Sequence, residues 1–187
     1  ECVKVLNFEK PIYKITDYVE SNNYGKFELE PLERGFGITL GNALRRVMLS
    51  SMPGSAIVAV RIDGVMHEFQ TMDGIVEDVT SIVLNLKNVV IKNNSSEQVT
   101  AHLSVSEERV VTAADIVSDS DIEIMNPDQV IATISAGGKL DMEFIISNGR
   151  GYVPSSDNKK FIENAKLGFI PIDALYSPIE KISYEVD

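Results

Sequence analysis

Residues that could carry chemistry are few in this chain. The run Gly35-x-Gly37-x-x-x-Gly41 precedes an apolar stretch, where glycines could cradle an anion at a helix N-terminus. Its spacing differs from the G-x-G-x-x-G of dinucleotide sites, and no Gly-Lys-Ser/Thr follows. A small enzyme acting on a phosphorylated ligand would also need a nearby base or metal, and none is found. The favoured interpretation is that the glycines permit tight turns before a packed helix.

Acidic and imidazole side chains give no convincing active site. Asp119-x-Asp121-x-Glu123 could bind a divalent metal, but the glycine and terminal glutamate of an EF-hand loop are missing, so a solvated turn is favoured. His67 and His102 have no serine, cysteine or paired acid nearby in sequence, so we expect a core and a surface histidine respectively. The single cysteine allows neither an internal disulfide nor a Cys/His zinc cluster. The sequence predicts no catalytic residue, no metal site and no cofactor.

Charge and composition limit the class of protein. The 187 residues carry a formal net charge of -11 and are 44% hydrophobic, which is typical of a globular protein. Such acidity argues against a free-standing nucleic-acid binder, which needs clustered Lys and Arg. No apolar run approaches the length of a membrane span, and the N-terminus lacks a signal-peptide core. We therefore expect a cytoplasmic protein without membrane contact.

Alternating apolar and polar residues predict a chain made largely of strands. The expected strands are residues 27–29, 58–62, 65–69, 99–105, 130–134, 140–146 and 182–186. Asp63-Gly64 is a hairpin signal that would place Val65, His67 and Phe69 on one face of the next strand. Helical spacing predicts a helix over residues 75–87 that lies on a sheet. The pattern is α+β with mostly antiparallel strands.

A second predicted helix, over residues 40–49, is apolar on most sides. Arg45 and Arg46 are its only charged residues. Adjacent helical residues point about 100° apart, so the two arginines cannot both face one core. A snorkelling arginine is one explanation, and recognition of a partner chain is the favoured one.

Six longer blocks of the sequence form a recognisable series. They are Glu30-Pro-Leu-Glu-Arg-Gly-Phe-Gly37, Leu40-Gly-Asn-Ala-Leu-Arg-Arg46, Ser50-Ser-Met-Pro-Gly54, Ile62-Asp-Gly-Val-Met-His-Glu-Phe69, Gly149-Arg-Gly-Tyr-Val-Pro154 and Tyr176-Ser-Pro178. Shorter blocks lie between them, at Glu77-Asp-Val79, Leu84-Asn-Leu-Lys87 and Asn126-Pro-Asp-Gln129. Together they closely resemble the alpha subunit of bacterial and plastid DNA-dependent RNA polymerase, and specifically its N-terminal domain. The blocks follow the family's order over nearly the whole chain.

The resemblance implies a two-domain split architecture. A dimerisation domain of residues 1–52 and 168–187 would be interrupted by an inserted, mostly antiparallel β domain of residues 53–167. Breaks at Met52-Pro53-Gly54 and around residues 165–171 agree with such an insertion. The family's pattern continues into a second dimerisation helix and a DNA-binding C-terminal domain. Contact with DNA is expected only through that domain, which this sequence does not include.

The resemblance also implies a role and a set of contact residues. The chain would be a non-catalytic subunit of a nucleotidyltransferase, DNA-directed RNA polymerase, that pairs with a second alpha subunit and nucleates assembly of the beta and beta-prime subunits. Its location would be the bacterial cytoplasm or the plastid stroma. The implied contacts are Arg45, Arg46 and Leu49 for the beta subunit, Lys87 for the beta-prime side, and Phe8, Phe36, Leu40 and Leu44 for the dimer interface.

Overall fold

The computed structural model describes residues 9–118, 120–163 and 167–187. The chain divides into two compact units. The first holds the described residues up to Arg46 together with Ile182–Asp187, and the second is Val47–Lys181. Helices and strands are mixed, and every strand pair among the described residues is antiparallel. The predicted α+β class is confirmed.

The first unit contains one β-hairpin and most of one helix. Strands β1 (Ile12–Val19) and β2 (Tyr24–Glu30) pair through a short 3-10 turn at Glu20–Asn22. Gly35, with a φ of +92°, then turns the chain into helix α1 (Phe36–Ser51), which runs on into the second unit. Glycine suits this turn because a side chain at positive φ is strained. The predicted second helix is thus confirmed, with a longer span.

The second unit is built around a six-stranded sheet. Its strands and those of two smaller sheets are β3 (Pro53–Ile62), β4 (Ile91–Asn93), β5 (Val99–Val105), β6 (Val110–Thr112), β7 (Ile122–Ile124), β8 (Val130–Thr133), β9 (Leu140–Arg150), β10 (Tyr152–Val153), β11 (Ile170–Pro171) and β12 (Ala174–Leu175). The main sheet has the order β5-β9-β3-β4-β7, with β11 also paired to β3. Strands β6 and β8 form one small sheet, and β10 and β12 form the other.

Helix α2 (Val79–Lys87) helps to build the main core of the second unit. Its inward face is apolar, and Ile82 and Leu86 are buried in one cluster with the side chains of the sheet. The helix begins four residues later than predicted because Ile75 bridges to Ile134 in β fashion. Asp78 then caps the helix, since its carboxylate accepts a hydrogen bond from the Ser81 N–H at 2.7 Å.

The predicted hairpin at Asp63-Gly64 is wrong. Both edges of β3 are already occupied, by β9 on one side and by β4 and β11 on the other, so residues 65–69 have no strand to join. The chain instead forms a loop over residues 63–78, in which Gln70 donates to the Gly64 carbonyl at 3.1 Å and accepts from the Met66 N–H at 3.0 Å. His67, expected in the core, is exposed.

A smaller apolar cluster covers the opposite face of β3 and β9. Val58, Ala59 and Ile145 pack there with Ala174 and Tyr176 from the later part of the chain. Beside this cluster lies the four-residue helix α3 (Ser155–Asn158), whose last residue, Asn158, is fully buried. Its side-chain amide donates to the Ile172 carbonyl at 2.7 Å. Segments far apart in sequence are thereby held against one sheet face.

Candidate protein-docking surface

Helix α1 leaves several large apolar side chains exposed, namely Phe36, Ile38, Leu44 and Val47. Among its 16 residues only Gly37 is buried. Phe36 is 52% exposed and Leu44 is 51% exposed, whereas Leu40 is half-buried. Phe8, the fourth residue expected at a dimer interface, lies outside the described residues. A helix with so much apolar surface is typical of an element that another chain covers.

The two arginines of α1 are adjacent and point in different directions from the helix axis. The Arg45 side chain donates from Nε to the Ile182 carbonyl at 3.3 Å, which ties it to the end of the described chain within the first unit. Arg46 is exposed on α1, about 100° further round the helix. Leu49 follows in the last turn and is half-buried. Arg46 and Leu49 are three positions apart, so they share a face of the helix.

The hairpin β1–β2 has one charged and one apolar face, which the sequence analysis missed. Its register places Tyr13 opposite Leu29 and Ile15 opposite Phe27. Tyr18 joins the same face beyond a bulge, and Tyr13, Ile15, Tyr18 and Phe27 are each at least 60% exposed. A two-stranded hairpin is marginally stable in water unless its apolar face is covered. The aromatic residues that recur over residues 13–27 were the sequence signal that could have indicated this apolar face.

The other face of the hairpin carries its charged side chains together with Ile12, Val19 and Tyr24. Lys14 lies beside Glu30 at 2.7 Å, and Lys26 is directly opposite Asp17 in the register. The hydrogen bond from Lys14 lowers the pKa of Glu30 below its ordinary value. Charged side chains are well hydrated at an exposed surface, so the apolar face is the one suited to a partner.

The glycines singled out as a possible phosphate cradle have a packing role. Gly37 and Gly41 lie inside α1 and face the segment Ile182–Asp187 of the same unit. A Cβ at Gly37 would lie 2.6 Å from a Val186 methyl carbon, and one at Gly41 would overlap the Tyr184 ring. The alternation over residues 182–186 therefore reflects packing on a helix, and the predicted strand there is wrong.

Lys87 ends helix α2 and forms an ion pair within the second unit. Its Nζ lies 2.9 Å from Oδ2 of Asp173, and the other Asp173 oxygen accepts from the Ser155 N–H at 2.8 Å. The ammonium group and this backbone donor lower the pKa of Asp173. Both charged side chains are about 30% exposed, so Lys87 is held in a fixed position at the surface.

One member of the acidic run considered as a possible metal site, Glu123, forms other contacts. Asp119 lies outside the described residues, and Glu123 accepts from the Asn94 side chain at 2.9 Å and pairs with Lys92 at 3.5 Å. Across the residues that the structure describes, no group of three or more His, Cys, Asp or Glu side chains could hold a metal ion. None of the helices formed by those residues is both long and apolar enough to cross a membrane.

Comparisons with a family model and with individual proteins point to the same family of proteins. Residues 60–177 match the family model described as the RNA polymerase Rpb3/RpoA insert domain. The chain belongs to this family, whose matched part runs from within β3 to just beyond β12.

Similarity extends beyond the matched domain. DNA-directed RNA polymerase subunit alpha of Moorella thermoacetica is 50% identical over 183 residues, and that of Desulforamulus reducens is 49% identical over the same length. The subunit of Oceanobacillus iheyensis is 48% identical. Each alignment covers 98% of this chain, which spans 57–58% of the length of these relatives.

Proposed function

We propose that this chain is the assembly scaffold of an alpha subunit of DNA-directed RNA polymerase. In this role it pairs with a second copy and binds the beta and beta-prime subunits, while the nucleotidyl transfer takes place elsewhere in the complex. The uncovered apolar surface of helix α1 carries the proposal. Similarity to subunits of that name over 98% of the chain supports it.

The proposed contact with the beta subunit uses Arg46 and Leu49, with Arg45 beside them. Arginine is among the residues most enriched at protein interfaces and at their hot spots. We expect Arg46→Glu to weaken co-purification of the recombinant beta subunit by about 2 kcal/mol or more in binding free energy. Arg45→Ala is the comparison at the neighbouring position, where the side chain donates to the Ile182 carbonyl at 3.3 Å.

A matched control separates this docking from general charge effects. Lys10→Glu makes the same reversal at an exposed residue ahead of β1 and should leave binding unchanged. Thermal unfolding of all three variants should resemble that of the original protein. If the Arg46 and Arg45 variants unfold while neither changes docking selectively, these arginines serve the fold alone and the proposed contact is wrong.

The proposed dimer interface joins the part of α1 that lies in the first unit with the apolar face of the β1–β2 hairpin of that unit. Phe36, Leu40 and Leu44 are the helix residues of this interface. We expect Leu44→Asp to shift the protein toward the monomer in sedimentation analysis, because a carboxylate would then have to be buried. Asn42→Asp adds the same charge about 200° round the helix and should leave dimerisation intact. Equal dimerisation of the two variants would contradict the proposed interface.

The proposed beta-prime contact is the ion pair of Lys87 and Asp173 taken as a unit. The pair lies at the end of α2 and is partly exposed, and Asp173 is also held by the Ser155 N–H. Such a fixed, accessible charge is suited to binding by another subunit. Lys87→Ala should reduce binding of the recombinant beta-prime subunit to an alpha–beta complex. Lys92→Ala provides the control, since Lys92 also pairs with an acid, Glu123, on a different edge. Unchanged beta-prime binding by the Lys87 variant would rule this contact out.

A further inference from the structure

Tyr176 packs on strands β3 and β9 near the last turn of helix α1, within the second unit. The residue is 3% exposed. Its ring covers Gly149, where an added Cβ would lie 2.6 Å from two ring carbons, and its carbonyl oxygen lies directly over Gly54. Gly54 and Gly149 are paired across the two strands. Their lack of side chains is what allows Tyr176 to lie this close to the sheet.

A short path of backbone contacts leads from Tyr176 to the last turn of α1. The Tyr176 N–H donates to the Gly151 carbonyl at 2.8 Å. Gly151 has a φ of +63°, and a Cβ there would lie 2.9 Å from the Ser50 carbonyl oxygen. The Gly151 backbone is therefore held between Tyr176 on one side and helix α1 on the other. All of these residues belong to the second unit.

The phenol of Tyr176 is buried, and burial raises its pKa. Next to Tyr176, strand β12 pairs with β10, with Leu175 opposite Tyr152. The tyrosine is thus held by its ring, which covers Gly149, and by its backbone, which leaves little freedom to the Gly151 turn that it contacts.

We propose that Tyr176 is a positioning residue for the docking helix: through Gly151 it fixes the last turn of α1, which carries Leu49, against the β3–β9 sheet. The inference rests on the proposed function, because it assigns α1 a role in docking. Tyr176 itself is buried and does not touch the partner. A docking surface gains affinity when its residues are held in place before binding, since less motion is lost on association.

The first test measures the isolated protein and requires no partner. Hydrogen–deuterium exchange is followed at the amides of residues 47–51. We expect exchange to accelerate about tenfold in Tyr176→Leu, which removes the ring over Gly149, because local opening of the last turn of α1 would then cost less free energy. Tyr176→Phe keeps the ring and should stay within about twofold of the original protein. Equal exchange in all three proteins would overturn the proposal.

A second variant acts on the Gly151 turn and leaves Tyr176 unchanged. Gly151→Ala places a methyl group against the Ser50 carbonyl and should accelerate the same amides. Gly137→Ala is the matched control, since Gly137 has a similar positive φ of +79° but no atom within 4 Å of an added Cβ. It carries the backbone penalty alone and should leave residues 47–51 unaffected. If Tyr176→Leu does not fold, this pair decides the question.

Binding of the recombinant beta subunit then separates this inference from the proposed function. We expect Tyr176→Leu and Gly151→Ala to weaken binding about tenfold, with Tyr176→Phe and Gly137→Ala close to the original protein. If Arg46→Glu weakens binding while Tyr176→Leu does not, the positioning role is overturned and the docking role stands. If even Arg46→Glu binds normally, the proposed docking itself has failed, whatever the exchange rates show.

Discussion

At the scale of single residues, Asp173 links three parts of the second unit. Its carboxylate binds Lys87 at the end of α2 and the backbone of Ser155, and it lies in the sequence between β11 and β12. Nothing in the local sequence around Asp173 distinguishes it from other surface acids. Its partners are 86 and 18 residues away, so only the folded chain could reveal the pairing.

The lowered pKa of Asp173 makes a prediction about acid stability. Since the folded state holds this proton less tightly than the unfolded state, the stabilisation is complete at neutral pH. It is lost as the pH falls below about 4 and through the depressed folded value. Asp173→Asn should cost about 1 kcal/mol at pH 7 and make stability less sensitive to acid over that window, as measured by urea unfolding.

The control for this experiment is Asp128→Asn, which alters an exposed turn residue. It should change neither the stability at pH 7 nor the slope with pH. If the two variants give the same acid dependence, the ion pair with Lys87 contributes nothing measurable to folding.

At the scale of elements, helix α2 depends on where its N-terminus is capped. Asp78→Ala removes the side chain that accepts from the Ser81 N–H, and we expect a lower midpoint in thermal or urea unfolding. Asp78→Asn keeps an oxygen acceptor and should retain most of the stability. Asp73→Ala, an exposed acid ahead of the cap, serves as the comparison. A larger effect from the Asp73 variant would show that the helix begins elsewhere.

Elements with a clear period could be predicted from the sequence, and pairings that depend on distant strands could not. Alternation predicted β5, which buries one face in the core, and β9, whose alternating residues Leu140, Met142, Phe144 and Ile146 face that core while the smaller cluster covers its other face. The same alternation failed at residues 65–69, where the edges of β3 were already occupied. It failed again at residues 182–186, where side chains pack on glycines of α1.

The candidate site was predicted unevenly for a similar reason. The apolar circumference of α1 is local and could be read from the sequence, and its exposed side chains agree with that prediction. The contact of Arg45 with the Ile182 carbonyl joins residues more than 130 positions apart, so the local sequence could not predict it. The apolar hairpin face required the register of β1 against β2, including its bulge. The contact residues named from the resemblance stay predictions.

At the scale of the whole molecule, the net charge of -11 opposes binding to polyanions such as DNA. Because binding to DNA is driven by cations that replace condensed counterions, we expect negligible retention on double-stranded DNA at physiological salt. Electrophoretic mobility shift at several salt concentrations tests this. A polymerase reconstituted with the beta and beta-prime subunits provides the positive control. Tight binding by the chain alone, with a steep dependence on salt, would contradict the scaffold role.

The hydrogen bonds of the loop over residues 63–78 affect its susceptibility to proteolysis. Phe69 is 80% exposed and is a side chain that chymotrypsin favours. Cleavage, however, requires the backbone to leave its bonds and lie extended in the enzyme's cleft. Here Gln70 fastens the turn at Gly64 and Met66, and its own carbonyl accepts from Val79 at the start of α2. Resistance at an accessible phenylalanine would therefore report how firmly one glutamine holds this loop.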